Sequence, residues 1–289
     1  MAPYDPEAKY EEKQGQSLFG VIIHSFFVVP FLIAVFCVLL FAAVRLLTFE
    51  KSTVFDYLED VKAGAASKRW QSAFELSKLL ANPDLIPKEE RFVAEMLKVF
   101  EHSRYDDDRV RQYLALAMGR TGNRQFVPPL VAALKDEKED NLYALIYSLG
   151  LFRDPDSASA LYPFLDHSNP RVRLAAAMAL GNSGEPQAAG KLQAALNDPE
   201  ANVQWDAAIA LAKLGSASGK GVLLELLDRS YLNKFPEVDP EEQNHVLLVA
   251  LQAAASLKDP DIDRRIKELA QQDQNLKIRR AAMDLLPRH

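Results

Sequence analysis

The stretch RVRLAAAMALGNSG, residues 171–184, decides the fold because variants of it recur at a fixed interval along the chain. A related copy, RVRQYLALAMGRTG, occupies residues 109–122, which is sixty-two residues earlier, or twice a period of thirty-one. Further copies at 140–153 and 202–215 keep the same phase. Four copies in phase identify an internal repeat rather than a chance similarity.

The second half of each repeat keeps the same period. Each copy predicts one apolar-faced helix, a short glycine-containing turn and a second helix that ends near Asp or Asp-Pro. One such pair cannot bury its own apolar face, so the copies are expected to stack and share a continuous core. The leucines that mark the second helices are Leu130, Leu161, Leu192 and Leu223, followed by Leu134, Leu165, Leu196 and Leu227.

Toward the carboxyl end the repeat becomes irregular. Val246 lies forty-three residues after Val203, which indicates an insertion of twelve residues around 230–244. Segments 245–260 and 261–272 then predict one more helix pair, and the remaining residues repeat the start of a copy. The sequence therefore predicts five helix pairs and a final half-copy.

The repeats resemble the HEAT family, particularly the short bacterial HEAT-like form related to phycobilisome lyases. The resemblance covers about residues 106–286. It implies an all-α fold, a right-handed superhelix of antiparallel helix pairs, and it specifies the fold far more than the function. The residues that carry it are Asn169, Pro170, Arg171, Val172, Arg173, Ala176, Ala179, Leu180, Gly181, Gly184, Leu192, Leu196, Asp198 and Pro199.

An apolar run precedes the repeats and extends from Leu18 to Val44 without a single Asp, Glu, Lys or Arg. As a helix it would be about 40 Å long, which is enough to cross a hydrocarbon core of about 30 Å. The run is too long for a cleaved signal peptide, and the acidic segment before it lacks the basic start that such peptides have. We expect one uncleaved transmembrane helix.

The chain thus divides into four parts. We expect a polar tail at 1–17, a transmembrane helix at 18–45, a helical linker or N-terminal cap at 46–105 and a HEAT-like repeat domain at 106–289. Lysine and arginine slightly favour the carboxyl side of the span, which predicts a cytoplasmic repeat domain. The expected location is a bacterial inner membrane, crossed once.

Two residues of the span leave alternatives open. His24 would serve a proton relay or a partner contact, or else be a neutral imidazole near the headgroups, which we favour. Pro30 would kink the helix or set it against a neighbour, and the sequence does not choose between these.

Three arginines, Arg111, Arg173 and Arg279, follow the recurrent Val or Ile position. They predict either an anion-binding row or a ladder of ion pairs with acids near the following turn. We favour the ladder, with exposed pairs that contribute about 0–1 kcal/mol each. The recurring acids are Asp136, Asp166 and Asp198.

Several classes of function lack support. The net charge of −6 and the absence of a basic stripe argue against nucleic acid. The sequence has no phosphate-binding loop, HExxH or nucleophile elbow, and the only cysteine, Cys37, lies in the apolar run. None of the five histidines precedes a glutamate, unlike the His-Glu dyads of iron-binding HEAT-repeat hydroxylases. We expect no catalysis, no cofactor and no metal.

Two candidate surfaces for a protein partner remain. The insertion offers Tyr231, Phe235 and Val238, because binding residues concentrate in loops, although it is equally typical of a surface excursion that packs on its own helix pair. Deletion of 232–242 is expected to spare folding and weaken partner binding. The inner curve of the stack, expected to be lined by second helices, offers Tyr162, Gln187, Lys191, Gln193, Lys220 and Glu225.

These observations favour a membrane-anchored scaffold or adaptor, whose repeats dock partner proteins or stabilise a membrane complex. One alternative is a bilin-lyase-like factor for chromophore attachment, which the family resemblance suggests. Another is an accessory subunit of a transporter or protease complex.

Overall fold

The computed structural model describes residues 24–48 and 52–286, and every regular element within these ranges is a helix. The chain divides into two units, one that ends at Ser52 and one that begins at Thr53. The predicted polar tail 1–17 and the first residues of the predicted span, 18–23, lie outside the described residues. The expected all-α class is confirmed for the described ranges.

The first unit contains helix α1, Val29–Thr48, which directly follows a π-helical turn, His24–Val28. Every side chain in Phe26–Val44 is exposed, and this segment is long and apolar enough to cross a membrane. Pro30 lies at the junction between the π-helical turn and α1, and both of its expected roles stay predictions. The side chain of His24 is outside the described part, so both of its roles stay predictions.

Fifteen helices follow in the described part of the second unit. Short 3₁₀ turns extend two of them, Val127–Ala133 and Ala158–Leu161, into the continuous helical segments 124–136 and 155–166. The helices are α2 Val54–Ala63, α3 Ala66–Leu79, α4 Glu90–His102, α5 Asp108–Thr121, α6 Val127–Ala133, α7 Glu139–Leu151, α8 Ala158–Leu161, α9 Pro170–Ser183, α10 Ala188–Ala195, α11 Ala201–Lys213, α12 Lys220–Leu226, α13 Arg229–Leu232, α14 Pro240–Ala254, α15 Pro260–Gln272 and α16 Leu276–Leu285.

These helices form a solenoid of stacked pairs. The first helices of the pairs are α3, α5, α7, α9, α11, α14 and α16, and each packs on the next one. The second helices are α4, the segments around α6 and α8, and then α10, α12 and α15. The solenoid therefore has six pairs and a closing helix rather than the expected five pairs, because α3 packs on α5 as α5 packs on α7.

Glycines set the close approach of successive first helices. A Cβ atom added to Gly150 would lie 2.8 Å from Cα of Ala179, and one added to Gly181 would lie 2.6 Å from Cα of Ala210. Both distances are shorter than van der Waals contact, so only glycine permits this spacing. The two glycines are one repeat period apart, which explains why the position recurs.

A left-handed residue ends several first helices. Gly122, Gly184 and Gly215 have φ values of 64°, 75° and 77°, a conformation that glycine adopts without a Cβ clash. The equivalent positions after α7 and α14 hold Arg153 and Lys258, both with φ of 50°. These two side chains store backbone strain that the glycine repeats avoid.

Two of the three predicted arginine pairs form, and they are buried rather than exposed. Arg111 Nε lies 2.6 Å from Glu137 Oε2, with both side chains less than a tenth exposed. Arg173 holds Asp198 through two hydrogen bonds of 2.7 and 2.8 Å. Each guanidinium also donates to a backbone carbonyl, that of Phe100 for Arg111 and that of His167 for Arg173, so each pair ties the start of a first helix to the segment before it.

The remaining details of the ladder differ from expectation. Glu137 replaces Asp136 as the partner of Arg111, because Asp136 points outward and is largely exposed. Arg279 forms no ion pair with a described residue, since the nearby Asp273 is held by Arg229 at 2.7 Å.

The inserted segment is more helical than expected. Helix α13 follows α12 directly, and α14 begins at Pro240 rather than at 245. Asp239 fixes this earlier start, because its Oδ1 accepts hydrogen bonds from the backbone N–H groups of Glu241 and Glu242 at 2.8 and 2.9 Å.

Candidate functional site: a groove along the first helices

A groove of about 770 Å³ crosses the first helices of the second unit. Its wall takes residues from five successive first helices, α5, α7, α9, α11 and α14. One space can contact so many stacked helices only where their common face is concave. The residues that represent the five helices are Asp108, Tyr143, Arg171, Asn202 and Glu242.

This arrangement differs from the expectation that second helices line the inner curve. Tyr143 on α7 and Asp206 on α11 interact electrostatically although α9 lies between their helices. The two side chains are therefore within electrostatic reach of one another across α9. This groove therefore lies along the first helices, and the expected binding role of the second helices stays a prediction.

Acidic residues line one edge of the groove because they occupy the first turns of the first helices. Acids are favourable there, since they complement the positive end of the helix dipole. Stacking of the helices brings their first turns side by side. The acidic residues that stabilise each helix start therefore form one continuous acidic edge. The carboxylates that line it are Asp108, Glu139, Asp140 and Glu242, against a single guanidinium, that of Arg171.

These carboxylates differ in how far the protein already neutralises them. Asp108 accepts a 2.8 Å hydrogen bond from Lys138, which is the largest cause lowering the pKa of this carboxyl. Glu139 accepts a 2.9 Å hydrogen bond from the side-chain amide of Asn169. Asp140 and Glu242, both exposed, form no ion pair with a described residue.

Asp206 adds a carboxylate that the protein encloses but does not pair. Burial raises its pKa to about 7, against the opposing charge of Lys213. Its surface stays partly accessible to solvent, so the side chain is enclosed by the concave face rather than sealed in the core. Among the described residues none donates a hydrogen bond to it.

Two tyrosines provide the aromatic part of this face. The rings of Tyr143 and Tyr147 are stacked, with centroids 6.1 Å apart and planes 12° from parallel. Tyr143 remains 41% exposed. Burial, followed by the neighbouring charges of Tyr147 and Asp206, raises the pKa of the Tyr143 hydroxyl, which therefore stays protonated at neutral pH.

The predicted residues of the second helices lie elsewhere. Tyr162 and Lys191 line a separate cavity of about 420 Å³, where the Lys191 ammonium is 6.0 Å from the centre of the Tyr162 ring. Gln187 is exposed immediately before α10, one turn from Lys191. These three residues are therefore neighbours, and their binding role stays a prediction.

Lys220 is separate from that group and already engaged. Its ammonium lies 2.7 Å from Asp259 and 2.8 Å from Asp261, and the hydrogen bonds to these two carboxylates are the main cause raising the pKa of Lys220. This ion pair connects α12 to α15. A partner would have to replace it in order to use the Lys220 charge.

The aromatic residues of the insertion pack on their own repeat. The Phe235 ring lies 4.9 Å from the Trp205 ring, edge to face, and Trp205 Nε1 donates to the Tyr231 hydroxyl at 3.2 Å. Val238 packs against the same cluster, half-buried. Deletion of 232–242 would uncover Trp205 and remove the start of α14, so the expectation that it spares folding does not fit this packing.

The groove residues were not predicted from the sequence, although a signal was present. Asp108 and Glu139 are one repeat period apart, as are Asp140, Arg171 and Asn202. That spacing places them at equivalent positions on stacked helices. The sequence does not show which face of the stack is concave, and so it does not show that these positions share a groove.

No group of three or more His, Cys, Asp or Glu side chains within residues 24–48 and 52–286 is arranged to hold a metal ion. The carboxylates described above are spread along the groove edge rather than gathered around one point.

The family model for HEAT repeats matches residues 97–167 and 158–232. These residues include α5 to α12, the most regular part of the solenoid. A comparison with curated protein sequences gives no significant match.

Solved structures extend the likeness beyond this segment. The complex of CpcE and CpcF of phycocyanin lyase from Nostoc sp. PCC7120 aligns with a TM-score of 0.56 at 21% identity, and covers 83% of this chain and 97% of that chain. A designed armadillo repeat protein in complex with the peptide (KR)4 aligns with a TM-score of 0.41 at 16% identity, over 81% and 98% of the two chains. Human deoxyhypusine hydroxylase aligns with a TM-score of 0.35 at 17% identity, over 80% and 83%.

Of these three structures, only the phycocyanin lyase complex has a TM-score high enough to support the fold. Because its sequence identity is 21%, this likeness supports the fold and not the function. Together with the family match, it agrees with the all-helical fold described above. Residues 97–232 of this chain are therefore HEAT repeats, and they form the central part of an α-helical solenoid.

Proposed function

We propose that this protein is a membrane-anchored scaffold that docks partner proteins on its HEAT-repeat solenoid. The observation that carries the proposal is the concave groove that crosses five first helices, because extended concave surfaces are how stacked repeats bind other proteins. The anchor adds a second element, since a tethered docking surface raises the local concentration of its partner at the membrane.

The proposed anchor is the apolar segment that includes Phe26–Val44. Its side chains are exposed in the described part of the first unit, and transfer of such a surface into lipid is strongly favourable. The distribution of lysine and arginine around the span favours a cytoplasmic solenoid. The membrane would be a bacterial inner membrane, crossed once.

The cavity between Tyr162 and Lys191 is a second proposed contact surface. It lies on the second helices, with the adjacent Gln187 exposed beside it. The insertion residues Tyr231, Phe235 and Val238 would contribute through the outer sides of their half-buried side chains. Lys220 would contribute only if a partner carboxylate replaced Asp259 or Asp261.

Purification of the full-length protein from membranes in a mild detergent, with mass spectrometry of what accompanies it, tests the scaffold role. We expect the same partner proteins to be recovered in several gentle detergents and lost at high salt or in harsh detergent. Recovery of the protein alone under every gentle condition would contradict the proposal. Subunits of a transporter or protease among the partners would identify the accessory-subunit form of the same role.

An alkaline carbonate wash of the membranes tests the anchor separately. We expect the full-length chain to stay in the pellet, because a lipid-embedded helix resists this treatment. Release into the supernatant would show that the apolar segment is not embedded and would leave a soluble scaffold.

Bilin attachment remains the second candidate function, because the solved phycocyanin lyase complex has the same type of fold over most of this chain. A mixture of the full-length protein, bilin and apo-phycobiliprotein tests it directly. Formation of a covalent bilin adduct above the uncatalysed level would favour the lyase role over the scaffold role.

A further inference from the structure

The groove has the dimensions of a site for an extended polypeptide segment. It crosses from α5 to α14, four steps between helices that pack about 8–10 Å apart, so its length is about 35 Å. An extended chain advances about 3.3 Å per residue, which gives room for about ten residues. A small molecule would occupy one part of such a groove, whereas an extended segment would contact every helix.

The charge of the groove indicates which side chains such a segment should carry. Four carboxylates line it against one guanidinium, and two of them, Asp140 and Glu242, form no ion pair within the described part of the chain. They lie on α7 and α14, near opposite ends of the row of helices. Phosphate-bearing ligands would be repelled by this edge, whereas lysine and arginine side chains would be attracted to it at both ends.

The middle of the concave face supplies an independent observation. Asp206 on α11 is half-buried, interacts electrostatically with Tyr143 of the groove, and accepts no hydrogen bond from a described residue. An arriving ammonium or guanidinium would form charge-assisted hydrogen bonds with this half-buried carboxylate. The stacked rings of Tyr143 and Tyr147 lie on the same face, within electrostatic reach of Asp206, and an exposed tyrosine ring attracts the same cations.

We propose that the groove along the first helices binds an extended segment of about ten residues in a partner protein, rich in lysine or arginine. Asp140 and Glu242 attract its ends, and Asp206 and Tyr143 receive a cationic side chain between them. The proposal rests on the scaffold role and specifies what the scaffold recognises. The groove distinguishes this segment from other cationic peptides by the spacing of its acids along the row of helices. The overall negative charge of the protein does not provide this selectivity.

The test uses the full-length protein in nanodiscs of neutral phosphatidylcholine, so that the membrane itself does not attract cationic peptides. The probe is a fluorescent dodecapeptide of alternating lysine and alanine, and its counterpart has glutamate in place of lysine. Fluorescence anisotropy reports binding at 0.1 M salt. We expect saturable binding of the lysine peptide and none of the glutamate peptide.

Matched variants distinguish the groove from general attraction to an acidic protein. The pair D140N/E242Q removes two carboxylates that line the groove. The pair D136N/E241Q removes the same formal charge from exposed positions outside it. We expect the first pair to weaken binding about tenfold and the second to change it less than twofold.

A third variant tests the middle of the site. Tyr143→Ala should weaken binding of the lysine peptide at least threefold without changing the helical circular dichroism spectrum, because this side chain is exposed. Equal weakening by the two charge pairs, or lysine-peptide binding that Tyr143→Ala leaves unchanged, would overturn the proposal.

The failure of this proposal is distinct from the failure of the scaffold role. If partner proteins accompany the full-length chain equally well in wild type and D140N/E242Q while the lysine peptide does not bind, the groove is not their site and the scaffold role stands. If no partner accompanies either protein, the scaffold role itself fails.

Discussion

At the scale of single residues, the repeat can be compared with itself, because equivalent positions experience nearly the same surroundings. The left-handed position after the first helices is glycine in three copies and Arg153 or Lys258 in two others. The carboxylate of Asp206 has no counterpart in the neighbouring copies, where Ala175 occupies the position one period earlier. Departures from the repeat thus mark both local strain and candidate binding groups.

Arg153→Gly should stabilise the protein by about 1 kcal/mol, because glycine adopts a φ of 50° without the Cβ clash that arginine suffers. Urea unfolding followed by circular dichroism measures the change. Lys191→Gly serves as the control, since it places glycine at an exposed position inside α10 and should destabilise by about 1 kcal/mol. A loss of stability in Arg153→Gly would show that the arginine side chain contributes more than its backbone strain costs.

Asp206→Asn should change how stability depends on pH. Burial raises the pKa of this carboxyl from 3.8 to about 7, so the folded state binds its proton more tightly than the unfolded state does. The native protein therefore loses stability as the pH rises from about 4 to about 7, and above that range the loss is complete. The variant lacks this loss, and its advantage over wild type should grow by up to about 3 kcal/mol between pH 5 and pH 8.

Urea unfolding of both proteins at pH 5, 6.5 and 8 measures that advantage. Asp136→Asn, at an exposed position, is the control and should follow wild type at all three values. A constant difference between Asp206→Asn and wild type over this range would contradict the assignment of an enclosed, unpaired carboxylate.

At the scale of elements, the spacing of the first helices depends on small residues at the contacts between them. Gly150 and Gly181 occupy equivalent contacts, and Ala179 and Ala210 face them from the next helix. Without side chains at these points the helix backbones approach closely, and the pairs stack at a constant step. The curvature that creates the groove depends on this step.

Gly181→Ala should destabilise the protein by about 1–3 kcal/mol, since the added methyl group would overlap Ala210 on the next first helix. Gly190→Ala is the matched control, because a Cβ at this position in α10 meets no atom within 4 Å. Alanine favours helix more than glycine does, so the control should gain about 0.5–1 kcal/mol. Thermal unfolding of the two variants should therefore shift in opposite directions, and a shift of both in the same direction would refute the packing argument.

The insertion behaves as part of its repeat. Phe235→Ala should cost about 1–3 kcal/mol and expose Trp205, because the phenylalanine ring covers the indole edge to face. Tryptophan emission measures the exposure when Trp70, the other tryptophan, is replaced by phenylalanine in both proteins. The emission maximum should move to longer wavelength in Phe235→Ala and stay in place in Glu237→Ala, an exposed change in the same loop. An unmoved maximum in both would show that Phe235 does not shield Trp205.

The helices also show which parts of the fold the sequence alone predicts. Periodicity located the helix pairs, the short turns and the insertion, because each depends on residues close in sequence. It did not identify α3 and α4 as a repeat pair, since their sequences lack the Val, Leu and Gly positions that mark the others, and only packing reveals the equivalence. Asp239 moved the start of α14 toward the amino end, a capping effect that the hydrophobic pattern does not contain.

At the scale of the whole molecule, the candidate site was the least predictable part. A solenoid has two faces, and the sequence assigns helices to each without showing which face is concave. That depends on the sum of small rotations between successive pairs. Tyr162, Gln187 and Lys191 were therefore predicted on the face of the second helices, while the wide acidic groove lies along the first helices.

Photocrosslinking in membranes tests whether a membrane-embedded chain presents this groove to a partner protein. A photoreactive amino acid replaces Asn202 in the groove or, as control, the exposed Lys267 on α15. After irradiation and an alkaline carbonate wash, mass spectrometry identifies the adducts in the pellet. We expect one abundant adduct from position 202, joined to a segment rich in lysine or arginine, and no such adduct from position 267. Equal adducts from both positions, or position 202 adducts found only in the supernatant, would contradict this expectation.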